Sequence, residues 1–268
     1  MPVAADCEAR CFVWAKEWIV RHVLVVILCA VMIALGLWQL ERLGDKRAYR
    51  DLVEARQALP TADVAGVVAV DADTETIDRV LFRSVGAVGT YAADDTFVVE
   101  NRTLNGASGG WVLTPLVLAD GSAVVVNRGF IGFDREGAIV APVPPDGPVA
   151  IEGLVVPSQE RGRFGPTDPG TGTLTVLARV DLGRFAAQVG YPVLPAYIQL
   201  VSSDPVEPAP ESGDPGLVAL GTPEPDLGPH LAYAVQWLIF TIIAGGGYVL
   251  LLRRVASELA REERLTLL

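Results

Sequence analysis

The sequence predicts a membrane protein of the α+β class, in which two transmembrane helices flank a mainly antiparallel β domain of barrel or sandwich type with one or two helices. Three observations predict it. Two long apolar runs stand towards the ends of the chain, a Val-rich region punctuated by Gly, Pro and Asp lies between them, and 51% of all residues are apolar. Such a composition argues against disorder and for membrane segments.

The first run, Val23 to Leu40, has Gln39 as its one strongly polar residue, and the second, Leu231 to Leu252, is interrupted by Gln236 and Thr241. At about 1.5 Å per residue both match a hydrocarbon core of about 30 Å. In lipid each must be helical, so that every backbone group finds a partner within its own segment. A cleavable signal peptide is the rival reading of the first run, with Ala34 and Gly36 as the small-residue pair. The apolar pattern continues past it through Leu37 and Leu40, however, and Trp38 stands where an interfacial anchor belongs, with Trp14 and Trp18 marking the opposite interface.

Orientation follows from the second run. Arg253, Arg254, Arg261 and Arg264 come after it, whereas no Lys or Arg lies between Arg184 and His230, which places the C-terminus in the cytoplasm. Arg10, Lys16 and Arg21 precede the first run and Arg42, Lys46, Arg47 and Arg50 follow it, a weaker and opposite signal. The expected order is a cytoplasmic segment (1–22), a span (23–40), an extracytoplasmic β-rich domain (41–202), an acidic Pro-rich tether (203–229), a span (230–252) and a cytoplasmic tail (253–268). The lipid bilayer of a bacterial-type cell membrane is thus the first partner.

A net charge of −11 suits no nucleic acid, which needs a basic face. Much of it sits in the tether, where Asp204, Glu207, Glu211, Asp214, Glu224 and Asp226 are interleaved with seven prolines and no basic residue. That reads as an extended, solvated connection. Cys7, Cys11 and Cys29 all lie outside the domain, so it must stand on its own core. Cys7 and Cys11 fit one face of a helix, either as a metal pair or as incidental small thiols.

Within the domain, residues 41 to about 60 keep helical spacing and mixed charge up to Pro60, and extend the first helix. Strands are predicted over Val80 to Tyr91, Phe97 to Arg102, Gly110 to Leu118, Ala123 to Arg128, Val149 to Val156 and Ala196 to Val201. Asp120-Gly121 predicts a hairpin, since the dipeptide favours the left-handed turn that twisted strands need. Asp181 caps a helix that runs to Val189 before Gly190. No repeat period is present, although Glu100-Asn101-Arg102 and Val126-Asn127-Arg128-Gly129 are similar fragments.

Between Glu41 and Pro229 there is neither His nor Cys. This argues against nucleophile–base pairs, zinc sites and haem ligation within the domain, and hence against an enzyme. The two histidines, His22 and His230, lie at opposite ends of the spans. At about 100° per residue, Tyr233, Ala234 and Trp237 share the His230 face, with Gln236 beside Tyr233. One reading is a headgroup histidine and an aromatic belt. The other takes Gln236, together with Trp38-Gln39 on the first helix, as part of a small polar and aromatic site. An imidazole with aromatic walls suits haem, whose propionates Arg42 or arginines of the domain would meet.

Gly36-Leu37-Trp38-Gln39 with Arg42 and Lys46, Phe82-Arg83 to Gly89-Thr90-Tyr91, Asn101-Arg102 with Gly110-Trp111-Val112 and Thr114-Pro115-Leu116, Val126 to Ile131, and Pro229 to Trp237 resemble, in order, the Surfeit locus protein 1 family. The resemblance implies an assembly factor for cytochrome c oxidase, whose domain docks on the oxidase's main catalytic subunit or, alternatively, on haem a synthase. It also implies haem a as the cofactor delivered or inserted, with His230 as the iron ligand; on the reading of the residues, Tyr233, Trp237 and Trp38 then wall the macrocycle between the outer halves of the two helices. The alternative is a scaffold of the same pathway that binds no haem. The long acidic tether and the Cys7, Cys11 pair depart from the family's usual pattern.

Overall fold

A computed structural model describes residues 15–134, 136–163, 165–207, 216–222 and 226–266; Cys7, Cys11 and Trp14 lie outside them. The chain forms two compact units, one of Met1–Arg50 with Pro225–Leu268 and the other Asp51–Glu224.

In the helical unit, α1 (Lys16–Gln57) and the second long helix, His230–Thr266, are both long and apolar enough to cross a membrane. The unbroken course of α1 bears out the predicted extension of the first run. The two helices are antiparallel, because contacts climb one as they descend the other. His22 meets Tyr248, the sulfur of Cys29 approaches Gly245, Gly36 faces Trp237, and Gln39 meets His230. Small residues permit the close middle: a Cβ on Gly36 would lie 3.6 Å from that of Trp237. Met32 and Ala234 are buried on this seam, while Leu24, Val26, Ile242 and Ile243 point outward, as lipid-facing positions require.

The domain unit holds an eight-stranded sheet: β1 (Ala62–Asp63), β2 (Ser84–Tyr91), β3 (Phe97–Leu104), β4 (Ala107–Leu118), β5 (Ala123–Gly132), β6 (Pro148–Pro157), β7 (Val176–Leu177) and β8 (Val193–Asp204). The order β2-β6-β8-β5-β4 returns to β2 through Gly89–Tyr91 against Leu116–Leu118. Pairing therefore closes on five strands, with β3 and β7 continuing outward from β4. The sheet is mixed but mainly antiparallel, as expected: β1 with β2, β3 with β7 and β5 with β8 run parallel, and the other pairings are antiparallel.

Alternation along the strands produces two cores. Val85, Ala87, Leu116, Val124, Val126, Ile151, Ile198 and Leu200, contributed by the five ring strands, pack with Val64 and Ile77 from two short helices, α2 (Val64–Val67) and α3 (Thr74–Val80), and with Val68 just after α2. Val99, Leu113, Val125 and Tyr197 face the other way, onto Leu182 and Phe185 of α4 (Leu182–Ala186). Phe97 and Phe185 stack there at 4.7 Å. β5 is consequently buried along nearly its whole length.

Three expectations are corrected. The strand predicted from Val80 begins at Ser84, because the Asp73 side chain accepts from Thr76 N–H and caps α3 through Val80. The helix predicted to Val189 ends at Ala186, although Asp181 caps it as expected, through Arg184 N–H at 2.9 Å. Segment 203–229 is not simply a solvated tether: β8 runs to Asp204, Glu207 binds a buried arginine, and Val218 pairs with Phe130 by backbone hydrogen bonds of 2.8 and 2.7 Å. The Asp120-Gly121 turn forms as predicted, with Gly121 at φ +83° and the Asp120 side chain accepting from Ser122 N–H.

Candidate functional site

His230 opens the last helix, α5 (His230–Thr266), where the local sequence makes a tight entry. Asp226 accepts from Gly228 N–H at 2.8 Å, Gly228 takes a left-handed φ of +64°, and Pro229 supplies the carbonyl that accepts from Tyr233 N–H at 3.1 Å. The ring Nδ1 of His230 lies 2.8 Å from Oε1 of Gln39. The amide oxygen accepts, so in the neutral ring Nδ1 carries the proton and the lone pair resides on Nε2. Nε2 looks towards Gly228, where a Cβ would stand 3.3 Å away. Residues of both helices thus meet at this end, as the polar-site reading expects.

The remaining predicted residues divide. Trp237 packs on Gly36 and meets Phe240 edge-on at 6.1 Å. Tyr233 and Trp38 are 46% and 54% exposed, so they stand on outward faces of the helix pair and do not wall a space within it. Gln236 is exposed too, and Arg42 is paired with Asp45 at 3.7 Å. The space between the helices is an apolar groove of about 200 Å³ lined by Met32, Gly36, Leu40, Leu231, Ala234 and Leu238. Sites that bury a cofactor usually hold about 300–1,000 Å³. That groove is too small to enclose a macrocycle between the helices.

The donor set is that of a single axial nitrogen. Among the described residues no group of three or more His, Cys, Asp or Glu could hold a metal. A cleft of about 700 Å³ in the domain is lined by Asp63, Asp120, Glu152 and Asp204, whose charges disfavour an anionic cofactor.

Two features of the domain escaped sequence reasoning, and the twin Asn-Arg fragments were their signal. Each marks a bulge beside β4. Glu100 and Asn101 together face Gly110, and Arg128 is the extra residue between Asn127 and Gly129. A bulge re-aims the side chain at its centre. The Arg128 side chain is fully buried; its Nε and Nη2 donate to the Glu207 carboxylate, the latter at 2.6 Å, and Nη1 donates to the Pro142 carbonyl at 2.8 Å. Its guanidinium also lies 5.7 Å from the Tyr91 ring centroid. Burial, with the Glu207 charge adding to it and Arg128 opposing, holds the Tyr91 hydroxyl well above the ordinary phenol range. Arg102, after the other bulge, stacks on Trp111 at 4.6 Å.

Residues 26–242 match the SURF1 family. The chain is 28% identical to an uncharacterised SURF1-like protein of Mycobacterium tuberculosis across 88% of this chain and 84% of that relative, and equally to one of Mycobacterium bovis. A SURF1-like protein of Rickettsia felis is 24% identical across 55% of this chain and 62% of its own length. The matched region begins inside one apolar helix, takes in the whole sheet and ends inside the other, beyond His230, Gln236 and Trp237, so the chain belongs to the SURF1 family.

Proposed function

We propose that this protein is a membrane-anchored assembly factor for cytochrome c oxidase that binds haem a through His230 and assists its delivery to, or insertion into, the oxidase's main catalytic subunit. Family membership supports the pathway. The observation that carries the haem reading is the His230–Gln39 hydrogen bond: an acceptor on Nδ1 fixes the tautomer and orients the ring, which is how metal-binding imidazoles are ordinarily prepared. Haem a, when bound, would bring the iron that takes this nitrogen; the chain's own residues supply one ligand and outward-facing aromatic surface at Tyr233 and Trp38. A carrier that must release its cargo is served by one axial ligand. Arg253, Arg254 and Arg261 after the second span support a cytoplasmic C-terminus and an extracytoplasmic domain, free to meet the catalytic subunit or haem a synthase.

The test is the absorption spectrum of the purified protein with and without haem a. A Soret band that appears with haem a and is lost in His230→Ala supports the reading, and an unchanged haem content in His230→Ala removes His230 from it. The small groove between the helices favours a second reading, a scaffold that holds assembly intermediates and binds no haem. It predicts colourless protein and a partner interaction that survives His230→Ala.

A further inference from the structure

We propose that Arg102 and Trp111 form a docking point for an acidic side chain of a protein partner. The arginines at the two bulges, Arg128 fully buried and Arg102 half-buried, differ in the partner they hold. Arg128 has a carboxylate on it, whereas Arg102 has none among the described residues: its Nη2 donates to Gln159 Oε1 at 3.1 Å, and its Nε is buried with no hydrogen-bond partner. The Gln159 oxygen is shared, since it also accepts from Val180 N–H at 3.2 Å. Tyr197, which interacts electrostatically with Arg102, is no counter-anion. Burial pushes its phenol up to about 12, so at neutral pH it is an uncharged hydroxyl.

A guanidinium offers five donors and no acceptor, and withdrawing it from water without an anion is costly. The Trp111 face and the Gln159 oxygen hold the cation in place but leave its charge uncompensated. A carboxylate completes it, accepting in the fork geometry that arginine presents. The surroundings suit a protein surface. Arg161 and Arg163 are exposed in the loop after Gln159, with one exposed acid, Glu160, before them, so the rim is locally basic on a chain of net charge −11. An Arg stacked on a Trp is the kind of pair enriched where binding energy concentrates at interfaces. The inference stands apart from His230 and from haem.

Arginine Nε–H signals of the full-length, 15N-labelled protein in detergent provide the test, with Arg102→Lys used to assign the Arg102 signal. Tetraglutamate should move that signal along a saturating curve and leave the Arg128 signal in place. Tetraglutamine should move neither. Binding should weaken at least about tenfold in Arg102→Lys, because an ammonium cannot reproduce a stacked, forked contact, and the saturable response should disappear in Arg102→Met. An unmoved Arg102 signal, a shift that chloride reproduces at equal ionic strength, or full tetraglutamate affinity in Arg102→Lys would each overturn the proposal. The wild-type titration alone decides it should Arg102→Met not fold.

Discussion

His230 and Gln39 are separated by 191 positions in the chain, yet their Nδ1 and Oε1 atoms lie 2.8 Å apart. The bond joins the first residue of one long helix to a glutamine in the apolar stretch of the other, where an unsatisfied amide would be costly. It therefore ties the packing of the helix pair to the tautomer of the imidazole.

Gln39→Leu should leave the helix pair folded and release the ring. On the proposed function, haem a affinity should fall by about 10–100-fold, the usual effect of removing a metal ligand's hydrogen-bond partner. His230→Ala should abolish binding, and absorption titration of the two variants side by side separates orientation from ligation.

Breaking the Arg128–Glu207 pair should be severe. Arg128→Met leaves Glu207 without its partner and Glu207→Gln leaves a fully buried cation, so either should lower stability by about 3–5 kcal/mol. The double variant should recover part of that loss, because neither charge is then stranded. Urea unfolding of the two singles and the double measures it; additive losses would show that the pair is not coupled.

Gly129→Ala should loosen the segment around Val218. A Cβ at Gly129 would stand 2.7 Å from the Val218 carbonyl oxygen, and the residue's φ of +148° is one that L side chains rarely adopt. The expected cost is about 1–3 kcal/mol, with faster limited proteolysis within 216–222 as the local readout.

The tyrosines predict a loss of stability in alkali. Tyr197 is pushed up to about 12, mainly by burial, with Arg102 and Gln159 opposing, and burial raises Tyr91 and Tyr191 as well. Against an unfolded value of about 10, the folded protein retains protons that the unfolded chain gives up. This stability is fully present below about pH 10 and is lost as pH rises to about 12. Urea midpoints measured across that window should fall steadily, and less steeply in Tyr197→Phe.

Local chemistry accounts for what could be read in advance. Val23 to Leu40 and Leu231 to Leu252 announce themselves by apolar length, and β5 by the apolar run Ala123–Val126, both of whose faces are covered. The short helix α3 was hidden because Thr74–Val80 resembles the start of the following strand, and only Asp73 marks it as capped. β1 and β7 are two residues each and depend on their neighbours in the sheet, not on their own propensity. At the site, spacing on one helix correctly grouped His230, Ala234 and Trp237, but placed Tyr233 with them although packing against α1 leaves it outside. Glu207 could not be recognised as a counterion, since its acidic, proline-rich surroundings give no sign of the arginine 79 positions earlier.

At the far end of the helix pair, the Tyr248 hydroxyl meets His22 Nδ1 at 2.8 Å. Counted along α1, His22 and Gln39 are about 26 Å apart at 1.5 Å per residue, so each of the chain's two histidines secures one end of the antiparallel hairpin. A slip by a single turn, about 5.4 Å, would part both couples together. The hairpin consequently behaves as a vernier with two marks: its halves can bow or lean as one piece, but cannot ratchet past each other while either imidazole keeps its mate.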